Sequence, residues 1–372
     1  MGRLIAAITT DGPAFVDTLQ RTWDAGDAVL PVDPRLPGAA RDRLLEAMRP
    51  HVLVTDDGPV DLEDGLETGP DDALVVATSG TTGAPKGVVL THQAVRASAE
   101  ATSAALEVDS RRDRWLACLP LAHIGGLSVV TRALHTGTDL EVHGRFDAPA
   151  VRQAAAHGVT LVSLVPAVLD RIDVSGFRRV LLGGSAIPDD RPANCIATYG
   201  MTETGSGVVY DGRPVQGVEI RTVDGELQIR GPMLLRGYRD GTDPTSDGGW
   251  LPTGDAGEVG VDGAVRVFGR KGDLIITGGE NVWPVAVEQV LVDHPGVAEV
   301  LIEGRPDPEW GRRVTAVVVP RDPTSPPTLE DLRSWVKDRL PPYCAPKQLD
   351  VVADLARTQS GKLSRRAPAD RG

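Results

Sequence analysis

Residues 75 to 87 read Val75-Val-Ala-Thr-Ser-Gly-Thr-Thr-Gly-Ala-Pro-Lys-Gly87. An apolar run typical of a buried strand leads here into a loop of glycine and hydroxyl residues that ends at a lysine. Exposed amides, hydroxyl groups and one ammonium group are what a polyphosphate requires of its binding site. The segment is not a Walker A loop, because the order is Pro85-Lys86-Gly87 and not Gly-Lys-Ser/Thr. We therefore predict a phosphate-binding loop; the alternative is a mobile surface turn between a strand and a helix.

The first half of the chain alternates between short apolar runs and amphipathic stretches of helical length. The apolar runs end at Gly, Pro, Ser or Asp and predict buried strands at residues 52–54, 74–77, 115–119, 160–165 and 180–182. The intervening stretches predict helices, among them residues 93–106 and 148–156. This alternation is typical of an α/β layer structure.

The second half has a different sequence pattern, with short strands and tight turns. After Tyr210, short strands alternate with tight turns, and Asp-Gly pairs at 224–225 and 262–263 favour hairpins. A strand–helix–strand–helix unit then follows Arg270, with its last helix capped by Thr328. The prediction is an α/β protein whose large N-terminal α/β domain carries a β-rich subdomain and is hinged to a small C-terminal α+β domain. The predicted domains are residues 1–269 and 270–372.

Composition excludes several classes of function. The net charge of -13 would repel a nucleic-acid backbone, so we expect no nucleic-acid partner. Cys118, Cys195 and Cys344 lie far apart and suggest ordinary buried thiols in a reducing compartment. No apolar run reaches the roughly 18 residues that span a bilayer. We expect a cytoplasmic protein without a membrane span; the sequence is compatible with a homodimer and does not determine the oligomeric state.

The loop at 79–87 resembles the phosphate loop of the adenylate-forming (acyl-CoA synthetase) superfamily. Further signatures of that family follow in the family's order: Tyr199-Gly-Met-Thr-Glu-Thr204, Trp250-Leu-Pro-Thr-Gly-Asp255, Gly269-Arg270, Gly278-Gly-Glu-Asn-Val-Trp-Pro284 and Arg357-Thr-Gln-Ser-Gly-Lys362. The resemblance covers residues 27 to 366 and implies an AMP-forming acid:CoA ligase. Such an enzyme uses ATP, Mg²⁺ and coenzyme A with a small-molecule carboxylic acid.

The resemblance also implies roles for single residues. Tyr199 would pack against adenine, Thr202 would contact the α-phosphate, and Glu203 would bind the magnesium ion, since a carboxylate suits a hard cation. Asp255 and Arg270 would hold the ribose. Other nucleotide-binding positions implied by the motifs are Ser79, Gly80, Thr81, Thr82, Gly83, Lys86, Gly183, Gly184, Ser185, Gly200 and Met201. Without the family resemblance, Tyr199 would be interpreted as a core tyrosine and Thr202 with Glu203 as a helix start. Asp255 and Arg270 would be interpreted as surface charges, and residues 183–185 as a strand-ending turn.

Lys362 is the predicted catalytic residue of the adenylation step. The carboxylate substrate is already ionised near neutral pH, so the step needs positive charge between two anions and no general base. In the family the small domain rotates between two poses, one presenting this lysine and the other the glycine-rich strand. Gly272 lies at the hinge position, where many relatives carry Asp or Lys, and Gly279 would line the pantetheine tunnel.

Within the family, the chain is similar to the bacterial o-succinylbenzoate:CoA ligases of menaquinone biosynthesis. It is shorter than typical members and shares the strings at 120–127, 201–207 and 274–281. His123 would begin the acid pocket, and Arg132 could meet a second carboxylate; the alternatives are a structural histidine and a surface arginine. Other functions left open are an acyl-CoA ligase for another aryl or fatty acid and an adenylation domain that loads a carrier protein. A nucleotide-binding pseudo-enzyme would be expected to lose Lys362 or Glu203, and both are present.

Overall fold

A computed structural model describes residues 1–8, 11–79, 85–185 and 187–356 of the chain. Its α-helices are α1 (Gly12–Asp24), α2 (Gly38–Met48), α3 (His92–Ala105), α4 (Ile124–Thr136), α5 (Ala148–Ala156), α6 (Pro284–Val292) and α7 (Leu329–Lys337). Its strands are β1 (Leu4–Ala7), β2 (Ala28–Pro31), β3 (Val52–Thr55), β4 (Gly58–Asp61), β5 (Asp72–Ser79), β6 (Pro85–Thr91), β7 (Arg114–Ala117), β8 (Asp139–Val142), β9 (Leu161–Leu164), β10 (Arg179–Leu182), β11 (Cys195–Met201), β12 (Ser206–Tyr210), β13 (Arg213–Pro214), β14 (Glu219–Val223), β15 (Glu226–Arg230), β16 (Gly237–Tyr238), β17 (Leu251–Val259), β18 (Val265–Arg270), β19 (Ile275–Thr277), β20 (Glu280–Val282), β21 (Val297–Asp307), β22 (Gly311–Pro320) and β23 (Gln348–Val351).

The first sheet has seven strands in the order β16-β6-β5-β2-β1-β3-β4. Strands β5 and β6 are antiparallel, with Ser79 opposite Pro85 and Thr78 opposite Lys86. The predicted phosphate loop therefore connects two paired strands and not a strand and a helix. Strand β6 is buried over residues 87–90 because its apolar run Val-Val-Leu lies between β5 and β16. Pairing with both neighbours fixes the position of Lys86 at the start of this strand.

The second sheet also has seven strands, in the order β13-β12-β11-β10-β9-β7-β8. Strands β7 to β11 run parallel, and their apolar residues form a buried cluster with α5. Helices α3 and α4 pack against each other; α3 contacts strands of both sheets, and α4 contacts strands of the second sheet. The arrangement is the α/β layering that the alternating sequence predicts, and the carboxyl ends of the parallel strands share one edge, where such folds bind ligands.

The β-rich segment forms a four-stranded sheet in the order β14-β15-β17-β18. The Asp-Gly pair at 224–225 makes the predicted hairpin turn, with φ of 48° and 74°. A last, five-stranded sheet contains β19, β20, β21, β22 and β23, and it packs on α6 and α7 around its own apolar cluster. The predicted fold class, α/β with a β-rich part and a smaller α+β unit, is confirmed.

Two compact units divide the chain: one contains Met1–Ile220 and Ile229–Leu251, the other Arg221–Gln228 and the chain from Pro252 onward. The predicted boundary between residues 269 and 270 lies inside the second unit. There Phe268 of β18 contacts Trp283, with ring centroids 6.2 Å apart. The domain limits 1–269 and 270–372, and the hinge at Gly272, stay predictions.

Local signals in the sequence are met at several places. Thr328 caps α7, because its hydroxyl accepts a hydrogen bond from the Asp331 amide while the Asp331 carboxylate accepts one from the Thr328 amide. The three cysteines are buried and unpaired, and burial raises the pKa of Cys118 to about 12, so its thiol stays protonated. In the described part of the chain, no helix combines the length and apolar character needed to cross a bilayer.

Candidate active site

Glu203 lies in a short 3₁₀ turn, Thr202–Thr204, that directly follows strand β11. The turn is held by Thr204, whose wholly buried hydroxyl accepts a hydrogen bond from the Met201 amide at 3.0 Å and donates to a nearby backbone carbonyl. Thr202 and Glu203 are only partly buried. A buried anchor thus fixes a turn that presents the two predicted phosphate and magnesium residues at its surface.

Two side chains from separate strands, Tyr238 and Lys86, lie beside Glu203. The Tyr238 hydroxyl donates a hydrogen bond to Glu203 Oε1 at 3.1 Å, and Lys86 Nζ lies 5.0 Å from the centroid of the Tyr238 ring. Burial, followed by the negative charge of Glu203, raises the pKa of Tyr238 above its ordinary value. The hydroxyl therefore remains a hydrogen-bond donor. The structure brings Lys86 and Glu203 together around one ring, although they are far apart in the sequence.

The predicted adenine-binding turn follows β10, next to β11. Thr198 on β11 donates its hydroxyl proton to the Leu182 carbonyl at 2.8 Å, and a Cβ on Gly183 would lie only 2.7 Å from that hydroxyl. Gly200 is even more restricted, since a Cβ there would lie 2.2 Å from the Ser206 carbonyl oxygen. Gly200 is thus required by the close approach of the Ser206 backbone, and Gly183 by the close approach of the Thr198 side chain. Gly184 and Ser185 lie in the same exposed turn, while Tyr199 and Met201 are partly buried on β11.

His123 and Arg132 belong to the start and the body of α4. His123 is the N-cap residue of this helix and is partly buried. Arg132 is 2% exposed; its guanidinium donates to Ser206 Oγ at 3.0 Å and lies 4.8 Å from the Trp115 ring centroid. Its Nε and one terminal nitrogen have no hydrogen-bond partner, and no carboxylate in the described residues pairs with it. Burial lowers the pKa of this arginine.

Asp255 and Arg270 face each other across β17 and β18, in the second compact unit. Arg270 Nε lies 3.1 Å from Asp255 Oδ1, and another guanidinium nitrogen donates to the Thr253 carbonyl at 2.7 Å. Asp255 is buried and Arg270 is more than half exposed. The pair that the motifs assign to the ribose is therefore assembled by the register of one antiparallel ladder.

Gly279 lies in the turn between β19 and β20, with φ of 86° and no atom within 4 Å of a Cβ added there. Backbone of this kind with open space beside it is compatible with close approach of a ligand. Several other predicted positions, namely Gly80, Thr81, Thr82, Gly83 and Lys362, lie outside the described residues. Ser79 is the last residue of β5, and its side chain is likewise outside them.

A magnesium ion fits the donor set around Glu203. Mg²⁺ is usually held by one or two carboxylates together with substrate phosphates and water, and not by a cage of protein ligands. The described residues contain no group of three or more His, Cys, Asp or Glu side chains that could hold a metal ion alone. A single carboxylate suits a cation that arrives with a triphosphate, and the nearby lysine suits the phosphates themselves.

Sequence comparison supplies the family. The model of the AMP-binding enzyme family matches residues 62–239, and that of the AMP-binding enzyme C-terminal domain matches residues 286–362. A probable 2-succinylbenzoate–CoA ligase from Mycobacterium tuberculosis is 38% identical over 331 residues, covering 82% of this chain and 85% of the relative. The chain belongs to the adenylate-forming family of AMP-binding enzymes.

Other members of the family agree with this assignment. A 2-succinylbenzoate–CoA ligase from Bacillus cereus is 34% identical over 333 residues, which are 78% of this chain and 68% of the relative. Among solved structures, the o-succinylbenzoate CoA synthetase of Bacillus subtilis in complex with the acyl-adenylate OSB-AMP has a TM-score of 0.86 and 28% identity, covering 98% of this chain and 87% of its own. The same enzyme with ATP and a magnesium ion has a TM-score of 0.85, 28% identity, and coverage of 98% and 88%.

Some functional candidates in this adenylate-forming enzyme escaped the sequence analysis. Tyr238 follows no recognisable signal, because its contact with Glu203 joins residues 35 positions apart. Trp115 and Ser206 surround Arg132 from two other elements. Arg132 itself was a candidate from the family resemblance, with a surface arginine as the alternative; the structure shows that every residue from 126 to 133 of its helix is buried.

Proposed function

We propose that the chain is an ATP-dependent acid:CoA ligase that converts 2-succinylbenzoate to its CoA thioester. In the first step a carboxylate oxygen attacks the α-phosphorus of ATP and pyrophosphate leaves, which gives the acyl-adenylate. In the second step the thiol of coenzyme A attacks the acyl carbon, and AMP leaves. The relatives named 2-succinylbenzoate–CoA ligase and the Bacillus subtilis enzyme with OSB-AMP support this substrate.

The observation that carries the choice of acid is the buried guanidinium of Arg132. Burying a charge without a partner is costly, and the Ser206 hydroxyl compensates for only part of that cost. A dicarboxylate would keep one negative charge after the other carboxylate is activated. That remaining carboxylate could accept hydrogen bonds from the two guanidinium nitrogens that have no partner. A monocarboxylic acid would leave the cation uncompensated.

The other residues take the roles that the motifs assign to them. Tyr199 and the turn at residues 183–185 bind adenine, and Asp255 with Arg270 orients the ribose. Thr202 and Lys86 hold phosphate oxygens. Glu203 would hold Mg²⁺, which would supply positive charge to offset the charge developing on the phosphates. Lys362 lies between the carboxylate and the α-phosphate during adenylation and withdraws when coenzyme A enters.

The proposal is tested by supplying the purified chain with ATP, Mg²⁺, coenzyme A and one acid at a time. We expect AMP, pyrophosphate and a CoA thioester with 2-succinylbenzoate, and much less product with benzoate, fatty acids or amino acids. Mass spectrometry identifies the thioester. Preference for a fatty acid or benzoate would favour a general acyl-CoA ligase, and an amino-acid adenylate without thioester would favour a carrier-loading domain. The cytoplasmic location and the homodimer stay predictions.

The role of Gly279 in the thioester step has its own test. We expect Gly279→Leu to slow thioester formation by roughly 10- to 100-fold, since a branched side chain would fill the open space beside the turn. The rate of adenylation, measured as pyrophosphate release, should change little. The matched control is Gly279→Ala, which has the same backbone strain at φ 86° but adds only one methyl group. Equal losses in both variants would show that backbone strain causes the effect. Full thioester formation by the leucine variant would show that Gly279 does not line the pantetheine tunnel.

A further inference from the structure

Tyr238 contacts Glu203 and Lys86, the residues assigned to Mg²⁺ and to phosphate. It belongs to none of the sequence motifs that identified these two residues. Its hydroxyl reaches Glu203 Oε1 at 3.1 Å, and its ring lies 5.0 Å from Lys86 Nζ. The residue is only partly buried, so an aromatic core role does not account for its position. One side chain thus links the carboxylate assigned to Mg²⁺ with the ammonium assigned to phosphate.

The backbone around Tyr238 is fixed from both sides. Strand β16 pairs antiparallel with β6, with Tyr238 opposite Val88 and Gly237 opposite Val89. Lys86 is two residues from Val88 and therefore on the same face of the sheet, in diagonal reach of a long side chain. Just before β16, the Leu235 amide donates to the Glu203 carbonyl at 2.8 Å. Strand β16 and the residue before it therefore fix the turn that contains Glu203 relative to the strand that contains Lys86.

The hydrogen bond also selects between the two oxygens of the carboxylate. Tyr238 donates to Oε1, which leaves Oε2 with both of its acceptor sites for a cation. Carboxylates that ligate metals are commonly held by such outer partners, and removing the partner weakens metal binding. The ring below Lys86 acts separately, since a cation over an aromatic face keeps its position without losing its charge.

We propose that Tyr238 is a positioning residue that orients the Glu203 carboxylate toward the magnesium ion and steadies Lys86 beside the phosphates of ATP. The inference rests on the proposed function, because it uses the roles given there to Glu203 and Lys86. Tyr238 itself is assigned no contact with the acid or with the reacting phosphorus. Its two contacts make separable contributions, one through the hydroxyl and one through the ring.

The experiment measures ATP binding by calorimetry without acid or coenzyme A, so that no turnover occurs. Each protein is titrated with ATP in excess Mg²⁺ and again in EDTA. For Tyr238→Phe we expect unchanged affinity in EDTA, because the ring remains under Lys86, and a loss of roughly 10-fold in the tightening that Mg²⁺ produces. Tyr238→Leu removes both contacts, so it should also bind ATP roughly 2- to 5-fold more weakly in EDTA.

Two controls separate this role from a structural one. Tyr343→Phe removes the same atom from an exposed tyrosine of the second unit and should bind ATP as the unmodified protein does. Thermal unfolding of Tyr238→Phe should lie close to that of the unmodified protein. The inference is overturned if Tyr238→Phe keeps the full effect of Mg²⁺, or if it weakens ATP equally with and without Mg²⁺.

The failure of this inference can be told apart from failure of the proposed function. If the unmodified protein binds ATP with Mg²⁺ and forms the thioester, an unaffected Tyr238→Phe variant overturns only the positioning role. If it binds ATP with the expected dependence on Tyr238 but activates no acid, only the ligase proposal fails. Absence of any Mg²⁺-dependent ATP binding in the unmodified protein would overturn both.

Discussion

Lys362→Ala is expected to slow acyl-adenylate formation by about 10² to 10³-fold while leaving thioester formation from supplied acyl-adenylate nearly unchanged. The carboxylate and the α-phosphate are both anions, and their approach is unfavourable without a cation between them. Removing one preorganised group that stabilises developing charge commonly costs a few kcal/mol, which corresponds to this loss. The second step starts from the acyl-adenylate, whose acyl carbonyl group is uncharged and whose leaving group is AMP. This lysine has no assigned role in that step.

Single-turnover assays of the two steps provide the measurement. Lys337 is the matched control, since it is an exposed lysine in the last turn of α7, and alanine there should leave both steps unchanged. Equal loss in adenylation and thioester formation for Lys362→Ala would contradict the assigned role. So would full adenylation activity in the variant.

Arg132→Leu is expected to remove the preference for a dicarboxylic acid. A buried charge-assisted pair contributes about 3 kcal/mol when one partner is removed, so kcat/KM for 2-succinylbenzoate should fall roughly 100-fold or more. Two monocarboxylate analogues, each lacking one carboxylate of 2-succinylbenzoate, complete the test. The analogue that keeps only the activated carboxylate should be a poor substrate of the unmodified enzyme and should lose little or nothing in the variant.

The folding of this variant is not expected to suffer severely, because leucine replaces a buried charge that has no carboxylate partner in the described residues. Thermal unfolding checks this directly. Arg132→Lys retains a charge but not the planar set of donors, so it should recover part of the preference. Undiminished discrimination between 2-succinylbenzoate and the analogues in Arg132→Leu would place the second carboxylate elsewhere.

Much of the fold could be predicted from local patterns. The strand at residues 180–182 and the helix at 148–156 lie within or match β10 and α5, because apolar period and end signals agree there. Thr328 with Asp331 predicts the start of α7, since the capping pattern is satisfied by residues three apart. Signals of this kind involve only neighbouring residues, and so they survive without knowledge of the tertiary structure.

The parts that escaped prediction depend on contacts between distant residues. Lys86 lies in strand β6 because β5 and β16 pair with that segment, and β16 comes much later in the chain. The same pairing places Tyr238 beside Glu203. Arg132 could be named as a candidate from the family resemblance, but its burial follows from the packing of α4 against α3 and the second sheet. Motif order identified the chemistry, whereas these side-chain contacts could be found only in the three-dimensional structure.

Adenylation of 2-succinylbenzoate can be followed by itself as exchange of labelled pyrophosphate into ATP, measured without coenzyme A in the presence of single acids. Exchange requires reversible formation of the acyl-adenylate and nothing more. We predict exchange that depends on 2-succinylbenzoate and Mg²⁺ and is at least ~10-fold faster than with any monocarboxylate tried, in line with one charge-assisted interaction. No exchange with any acid, or equal exchange with 2-succinylbenzoate and with monocarboxylates, would contradict it.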